Sequence, residues 1–242
     1  MSTVLHTHQA NIHTPGRVHF SDPLIVLKYG SSVLRTPSDI PIITHDIYRH
    51  VRAGYRVLAV VSALGETTDE LLFGARAIWD ASSTDESAKE SVASLLSTGE
   101  LRSVALLALG LAKAGLSATR LDTPKSWIQT TGDVLDASPI GLDCHVIDDA
   151  FKHGPVAILP GFVGLNTTGE VTLLGRGGSD LSALFAAWSL SAQRCRLVKD
   201  VDGIYTTAPD RPNARRYQQL SWKHAAEEKR QVLQAKALDF AR

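Results

Sequence analysis

Apolar positions along this chain follow two alternating rhythms. LIVLKYG, residues 24–30, is a solid apolar run closed by glycine, which predicts a strand buried on both faces. From Asp39 to Ala53 the apolar positions Ile43, Ile47 and Val51 recur every four residues, one face of a helix that stops at Gly54. RVLAVVSALG (56–65) predicts a second buried strand running into a polar turn. GELRSVALLALGLAKAGL (99–116) predicts a helix with a glycine end, and SATRLD (117–122) a strand. HVIDDAFKHG (145–154) then reads as a short helix and PVAILPGFVG (155–164) as a strand. EVTLLG (170–175), after the turn NTTG, reads as one arm of a hairpin. DLSALFAAWSLSA (180–192) predicts a helix, RCRLVKDVDG (194–203) a strand, and SWKHAAEEKRQVLQAKALDFAR (221–242) one long closing helix.

Strands alternating with helices over short connections imply an α/β fold with a mostly parallel sheet covered on both faces. No internal repeat or low-complexity linker divides residues 23–242, so they are expected to form one domain. Residues 1–22 lack the rhythm altogether. They are polar, have no acid before Asp22, and are expected to be a disordered tail. The tail has no apolar stretch of the kind a secretory signal needs. His6, His8 and His13 lie in it without a scaffold to fix metal-ligand geometry, so no metal site is expected.

Composition adds limits. The 25 basic and 25 acidic residues balance, which removes the general electrostatic reason to expect nucleic acid or an acidic membrane as partner. Cys144 and Cys195 stand far apart in no ligand spacing and read as two buried thiols in a reducing compartment. No uninterrupted apolar run approaches the ~18–20 residues of a bilayer span. A soluble, cytoplasmic protein is expected.

Parallel sheets hold ligands at the carboxyl ends of their strands, and the residues that packing does not ask for collect there. In KYGSS, Lys28 with Gly30, Ser31 and Ser32 offers a point charge beside free backbone N–H groups, a phosphate cradle or an ordinary turn. Neither a Walker loop nor a G-x-G-x-x-G occurs. In SALGETTDELL, Ser62 and Thr68 suit a loop gripping a small polar ligand, while Thr67 or Thr68 also suits a helix cap. In STGELRS, Glu100 has two readings: a partner for a substrate ammonium, or a first-turn acid complementing a helix dipole behind a Ser97 or Thr98 cap. In LGRGGSD, Arg176 presents a fork matched to a carboxylate and Asp180 is placed to hold a lysine; the alternative is a surface Arg–Asp pair. Gly177 and Gly178 mark a tight bend or a close approach of something to the backbone.

Taken in order, KYGSS, SALGETTDELL, STGELRS, PGFVG, LGRGGSD and DVDGIYT resemble the amino-acid kinase family and, within it, the aspartokinases. The resemblance runs from about Leu24 to Arg242. It implies a three-layer α/β/α sandwich and ATP-dependent phosphorylation of the side-chain carboxylate of L-aspartate. That reaction gives 4-phospho-L-aspartate, the first step toward lysine, threonine and methionine. Carried over residue by residue, it makes Lys28 and Asp180 the catalytic pair, with Asp180 organising the active-site lysines. It makes Ser62, Thr68, Glu100 and Arg176 substrate contacts, Glu100 on the ammonium and Arg176 on a carboxylate. It assigns Lys28, Gly30, Ser31, Lys199, Asp200, Tyr205 and Lys236 to the nucleotide. Mg²⁺ is expected to ride on ATP oxygens, with no protein metal cage. A homodimer is implied by analogy.

The chain departs from the family pattern at several places. Ser31 stands where a second glycine is common, and Glu66 where lysine or a small residue is common. Ala208, Asp210 and Gln234 stand where aspartate, arginine and glycine are usual. The last three fall on the nucleotide side, which raises one alternative: a kinase-like domain with impaired ATP binding and a regulatory or assembly role. The other alternative is a glutamate 5-kinase-like enzyme with another acidic substrate, since KYGSS by itself would suit that enzyme too. Aspartokinases continue past the closing helix into a last strand and ACT regulatory domains. The expectation is therefore a catalytic domain without them, as a short form or as a piece of a longer protein such as one fused to homoserine dehydrogenase.

Overall fold

The apolar runs assemble into one six-stranded sheet. The computed structural model describes residues 4–5, 22–80, 84–207, 210–227 and 234–241. The first half runs β1 (Val4–Leu5), β2 (Leu24–Tyr29), α1 (Ile40–Arg52), β3 (Arg56–Val61), α2 (Thr67–Arg76), α3 (Glu86–Lys113) and β4 (Ala118–Arg120). Next come β5 (Ile128–Thr131), β6 (Ser138–Gly141), α4 (Cys144–Phe151), β7 (Val156–Pro160), β8 (Val163–Leu165) and β9 (Val171–Leu173). α5 (Gly178–Ser189), β10 (Arg194–Val198), α6 (Trp222–Glu227) and α7 (Ala235–Ala241) complete the order.

Strand order in the main sheet is β1-β10-β2-β3-β7-β4, parallel throughout except for antiparallel β1. The alternation of a strand sorts its side chains onto two faces. Leu24 and Val26 join a core with α4, α5 and α7, while Ile25, Leu27 and Tyr29 join one with α1 and α3. That is the three-layer arrangement. β8 and β9 form the expected hairpin, but within a second sheet of order β6-β5-β8-β9. Ile128–Thr131 and Ser138–Gly141 gave no strand signal because they are short and half polar. This second sheet, α2 and the first half of α3 share a third core of Ala75, Val92, Leu96, Trp127, Val163 and Leu173.

Four expectations are corrected. The tail, expected to be disordered, contributes β1, with Val4 opposite Arg196 and Leu5 opposite Cys195; residues 1–3 and 6–21, with His6, His8 and His13, lie outside the described residues. α3 begins thirteen residues before Gly99, capped by Asp85, whose carboxylate accepts from Ser87 N at 3.0 Å. Ser97 and Thr98 are no caps: their hydroxyls donate back to the carbonyls of Ser94 and Leu95 within the helix. The closing helix is not continuous, since Gln234 is non-helical between α6 and α7. At full length α3 becomes long and apolar enough to cross a membrane by composition, which no uninterrupted run suggested. It is instead a core helix, with Val104, Leu107 and Leu111 buried against the sheet.

Candidate active site

The carboxyl ends of β2, β3 and β10 and the start of α5 open onto one cavity of about 790 Å³. Lys28 reaches it because it shares the β2 face of Leu24 and Val26, toward α5. Its Nζ lies 2.7 Å from Asp180 Oδ1. Lys199, the residue after β10, donates to Asp180 Oδ2, also at 2.7 Å. Oδ1 accepts no hydrogen bond of good geometry, so the Lys28 contact is mainly Coulombic. Lys28 and Asp180 are only 5% and 4% exposed, so a single charge left there would be costly. Burial holds the Lys28 pKa below the usual lysine value, although Asp180 pulls it upward. For Asp180 burial pushes upward, but Lys28 and Lys199 together outweigh it and the carboxyl stays below its ordinary value.

Two turns set this cluster. At Gly30 any Cβ would come within 2.6 Å of Lys28 Nζ, so a side chain there would displace a paired, buried ammonium. Ser31, the departure from double glycine, is tolerated because its φ is not in the left-handed region. Gly177 is left-handed, with φ 75°, as the residue before α5. What approaches Gly177 and Gly178 is protein: a Cβ on the first would strike Gln234, and on the second would lie 2.9 Å from Leu174 and Phe162. The Gly-Gly pair is thus required by the bend and by packing, and it leaves the α5 N-terminus facing the cavity.

Across the cavity stands Glu100, in the middle of α3 rather than in a first turn, so the dipole reading of this residue is corrected. Gly99 brings α3 close to the β3–α2 loop, its hypothetical Cβ lying 3.0 Å from Ala63 Cβ. Glu100 Oε1 accepts from Ala63 N at 3.2 Å, and Oε2 has no partner. Burial raises its pKa from 4.5 to about 8, against the pull of the Ala63 and Glu100 N–H groups. Ser62 and Thr68 line the same cavity. Thr68 lies inside α2, which has no side-chain cap at all, so the Thr67/Thr68 cap is corrected too. Arg176 lines the cavity as an exposed side chain. Its surface pair with Asp180 does not form, because Asp180 belongs to the two lysines.

The residues assigned to the nucleotide divide. Lys28, Ser31 and Lys199 line the cavity and Gly30 lies beneath the Lys28 ammonium. Asp200 lines a separate groove between α1 and β10. Tyr205 donates to Asp202 at 2.7 Å. Lys236 is occupied by Asp136 Oδ1 at 2.7 Å and by the carbonyls of Asp136, Ala137 and Leu174. Ala208 lies outside the described residues. Asp69 and Leu72, inside SALGETTDELL, and Phe162, inside PGFVG, also line the cavity, as do Arg76 and Trp79, which no motif announced. Phe162 takes a left-handed φ of 68° with its N–H donating to Ser182 Oγ.

A sequence profile described as the amino acid kinase family matches residues 23–242. The chain belongs to that family. Among relatives of this amino acid kinase, an aspartokinase of Geobacillus stearothermophilus is 34% identical over 223 residues, 90% of this chain and 54% of the relative. The crystal structure of aspartate kinase from Synechocystis superposes with a TM-score of 0.75 at 34% identity, covering 90% of this chain and 36% of that one. E. coli aspartokinase III in complex with aspartate and ADP gives a TM-score of 0.67 at 25% identity, over 84% and 55%. The chain spans about half the length of the curated relatives it matches.

Proposed function

We propose that this amino acid kinase domain phosphorylates the side-chain carboxylate of L-aspartate with Mg-ATP, forming 4-phospho-L-aspartate and ADP. One observation carries the reading: buried Lys28 and Asp180 with half-buried Lys199, and a buried carboxylate with a free oxygen, share a single cavity. The cluster, with the α5 N-terminus, suits an anion such as a terminal phosphate. Glu100 suits an ammonium, which would satisfy Oε2 and stabilise the charged form of its carboxyl. Arg176 suits the α-carboxylate of the same amino acid. Relatives described as aspartokinases, one of them bound to aspartate and ADP, support this substrate class.

In the reaction a side-chain carboxylate oxygen attacks the terminal phosphorus. The bond from phosphorus to the β–γ bridging oxygen breaks, and its electron pair leaves on ADP. A carboxylate is already ionised, so no general base is needed, and Lys28 contributes by neutralising charge on the moving group. Mg²⁺ would be held mainly by phosphate oxygens.

The test is aspartyl hydroxamate formation from aspartate, Mg-ATP and hydroxylamine, run in parallel with glutamate and N-acetylglutamate. Product with aspartate alone is expected. Turnover with glutamate and none with aspartate would replace the substrate. Absence of Mg-ATP binding by calorimetry at millimolar nucleotide would favour a non-catalytic domain.

A further inference from the structure

We propose that the cavity has a second compartment, a crevice between α2 and α3, which takes the aliphatic side chain of a free α-amino acid and so makes such amino acids competitors of aspartate. The inference rests on the reading above of Glu100 and Arg176 as contacts for the ammonium and carboxylate of an amino acid.

Helix periodicity sets the crevice. Residues four apart share one face of a helix, which places Val92, Leu96 and Glu100 in a single stripe on α3. Thr68, Leu72 and Arg76 form the matching stripe on α2. Trp79 follows one turn later, its backbone N–H donating to the Ala75 carbonyl at 2.9 Å. All of these residues line the cavity. The two helices run in opposite directions. A Cβ on Gly99 would lie 3.4 Å from Thr67 and 3.5 Å from Leu71, at the start of α2, while Ala75, near its end, shares the third core with Val92. The stripes therefore face each other along their length, polar at the Thr68–Glu100 end and apolar beyond it.

Distance decides what fits. One turn, about 6 Å along α3, separates Glu100 from Leu96, and another separates Leu96 from Val92. An amino acid whose ammonium meets Glu100 Oε2, the carboxyl oxygen without a partner, can thus lay a four-carbon side chain against Leu96 and Leu72. Glu100 is the fixed anchor, and the exposed Arg176 side chain meets the carboxylate. Leu96 and Val92 are buried, and Leu72 and Trp79 are partly buried against the same core, so methylenes placed among them exchange water for apolar surface. Aspartate cannot use this room. Its side-chain carboxylate would lose water beside Leu72 and Leu96, which offer it no hydrogen bond, whereas toward Lys28 it meets a cation. An aliphatic side chain carries no acceptor oxygen, so an amino acid bound this way yields no product and keeps aspartate out.

The experiment follows aspartyl hydroxamate formation by the full chain against aspartate at fixed Mg-ATP, with leucine, norleucine or alanine added. Leucine and norleucine are expected to raise the aspartate KM at unchanged kcat, and to bind about tenfold or more tighter than alanine, as burial of the extra carbons requires. Leu72→Gln should weaken leucine at least about tenfold more than it weakens aspartate. Trp79→Phe keeps an aromatic ring in place and removes one of the 4 tryptophans. The change in tryptophan fluorescence that leucine produces in wild type should be lost in that variant, which decides the matter even if Leu72→Gln does not fold. An aspartate KM that leucine leaves unchanged, or that alanine raises as effectively as leucine, overturns the compartment. So does inhibition that lowers kcat alone, which puts the ligand elsewhere. If wild type makes no aspartyl hydroxamate, the phosphotransfer reading fails separately, and melting temperature then tests the crevice. A larger rise with leucine than with alanine, lost in Leu72→Gln, supports it, and equal shifts remove it.

Discussion

Glu100 shows what one residue can carry. A carboxyl held at 2% exposure, with one oxygen bonded to Ala63 N and the other to nothing, is kept where folding alone would remove it. Burial puts its folded pKa at about 8 against 4.5 for the free group. A raised folded pKa means that its favourable contribution is complete below about pH 4.5 and is lost as pH rises through about 8. Other charged groups line the cavity, namely Lys28, Asp69, Arg76, Arg176, Asp180 and Lys199, so the informative quantity is a difference. Melting temperatures of wild type and Glu100→Gln, compared from pH 5 to 8.5, should diverge, wild type falling more steeply. Parallel curves would mean that the carboxyl ionises freely. Two kinetic expectations belong at this scale. Lys28→Ala should remove most of kcat, and retention within a few-fold would count against the phosphotransfer reading. Arg176→Ala should chiefly raise the aspartate KM, as loss of uniform binding does, and an unchanged KM would move the carboxylate contact elsewhere.

Helices and turns obey local rules where those rules are strong and mislead where they compete. The left-handed turn at Gly177 was legible as a bend, since only glycine adopts such a conformation without strain. What the bend meets, Gln234 on one side and Phe162 with Leu174 on the other, was not, because those contacts come from distant chain. Gly177→Ala should destabilise by about 1–2 kcal/mol from backbone strain alone, before the clash with Gln234, read as a shift in denaturation midpoint. α3 was read too short because Ser97-Thr98-Gly99 imitates a cap and breaks the apolar rhythm. Inside the long helix the two hydroxyls find carbonyls of their own turn, and Gly99 is kept for close packing on Ala63. The cap that operates is Asp85, and Asp85→Ala should cost about 1 kcal/mol, measurable in urea. A change at Ser97 or Thr98 has no N-cap to remove.

The whole molecule brings together groups from β2, the β3–α2 loop, α3, the β9–α5 turn and the end of β10 around one cavity. A ligand that bridges them should therefore stabilise the entire fold. Mg-ATP or aspartate at about 100 times its Kd should add about 2.7 kcal/mol, visible as a higher melting temperature, and the effect of aspartate should vanish with the assigned amino-acid contacts removed. No shift with either ligand would argue that the cavity binds neither.

Sequence alone determined the α/β alternation, the buried parallel strands, the β8–β9 hairpin and the list of loops from which the site is drawn, because period, glycine placement and apolar runs are local properties. It also named the cavity residues Lys28, Ser31, Ser62, Thr68, Glu100, Arg176, Asp180 and Lys199, through the order of their motifs. Only tertiary structure decided which lysine meets Asp180, that Glu100 lies in mid-helix with a free oxygen, that β5 and β6 complete a second sheet, and that Val4 and Leu5 extend the first. Those outcomes depend on distances between segments far apart in the chain, and no periodicity within a segment encodes them.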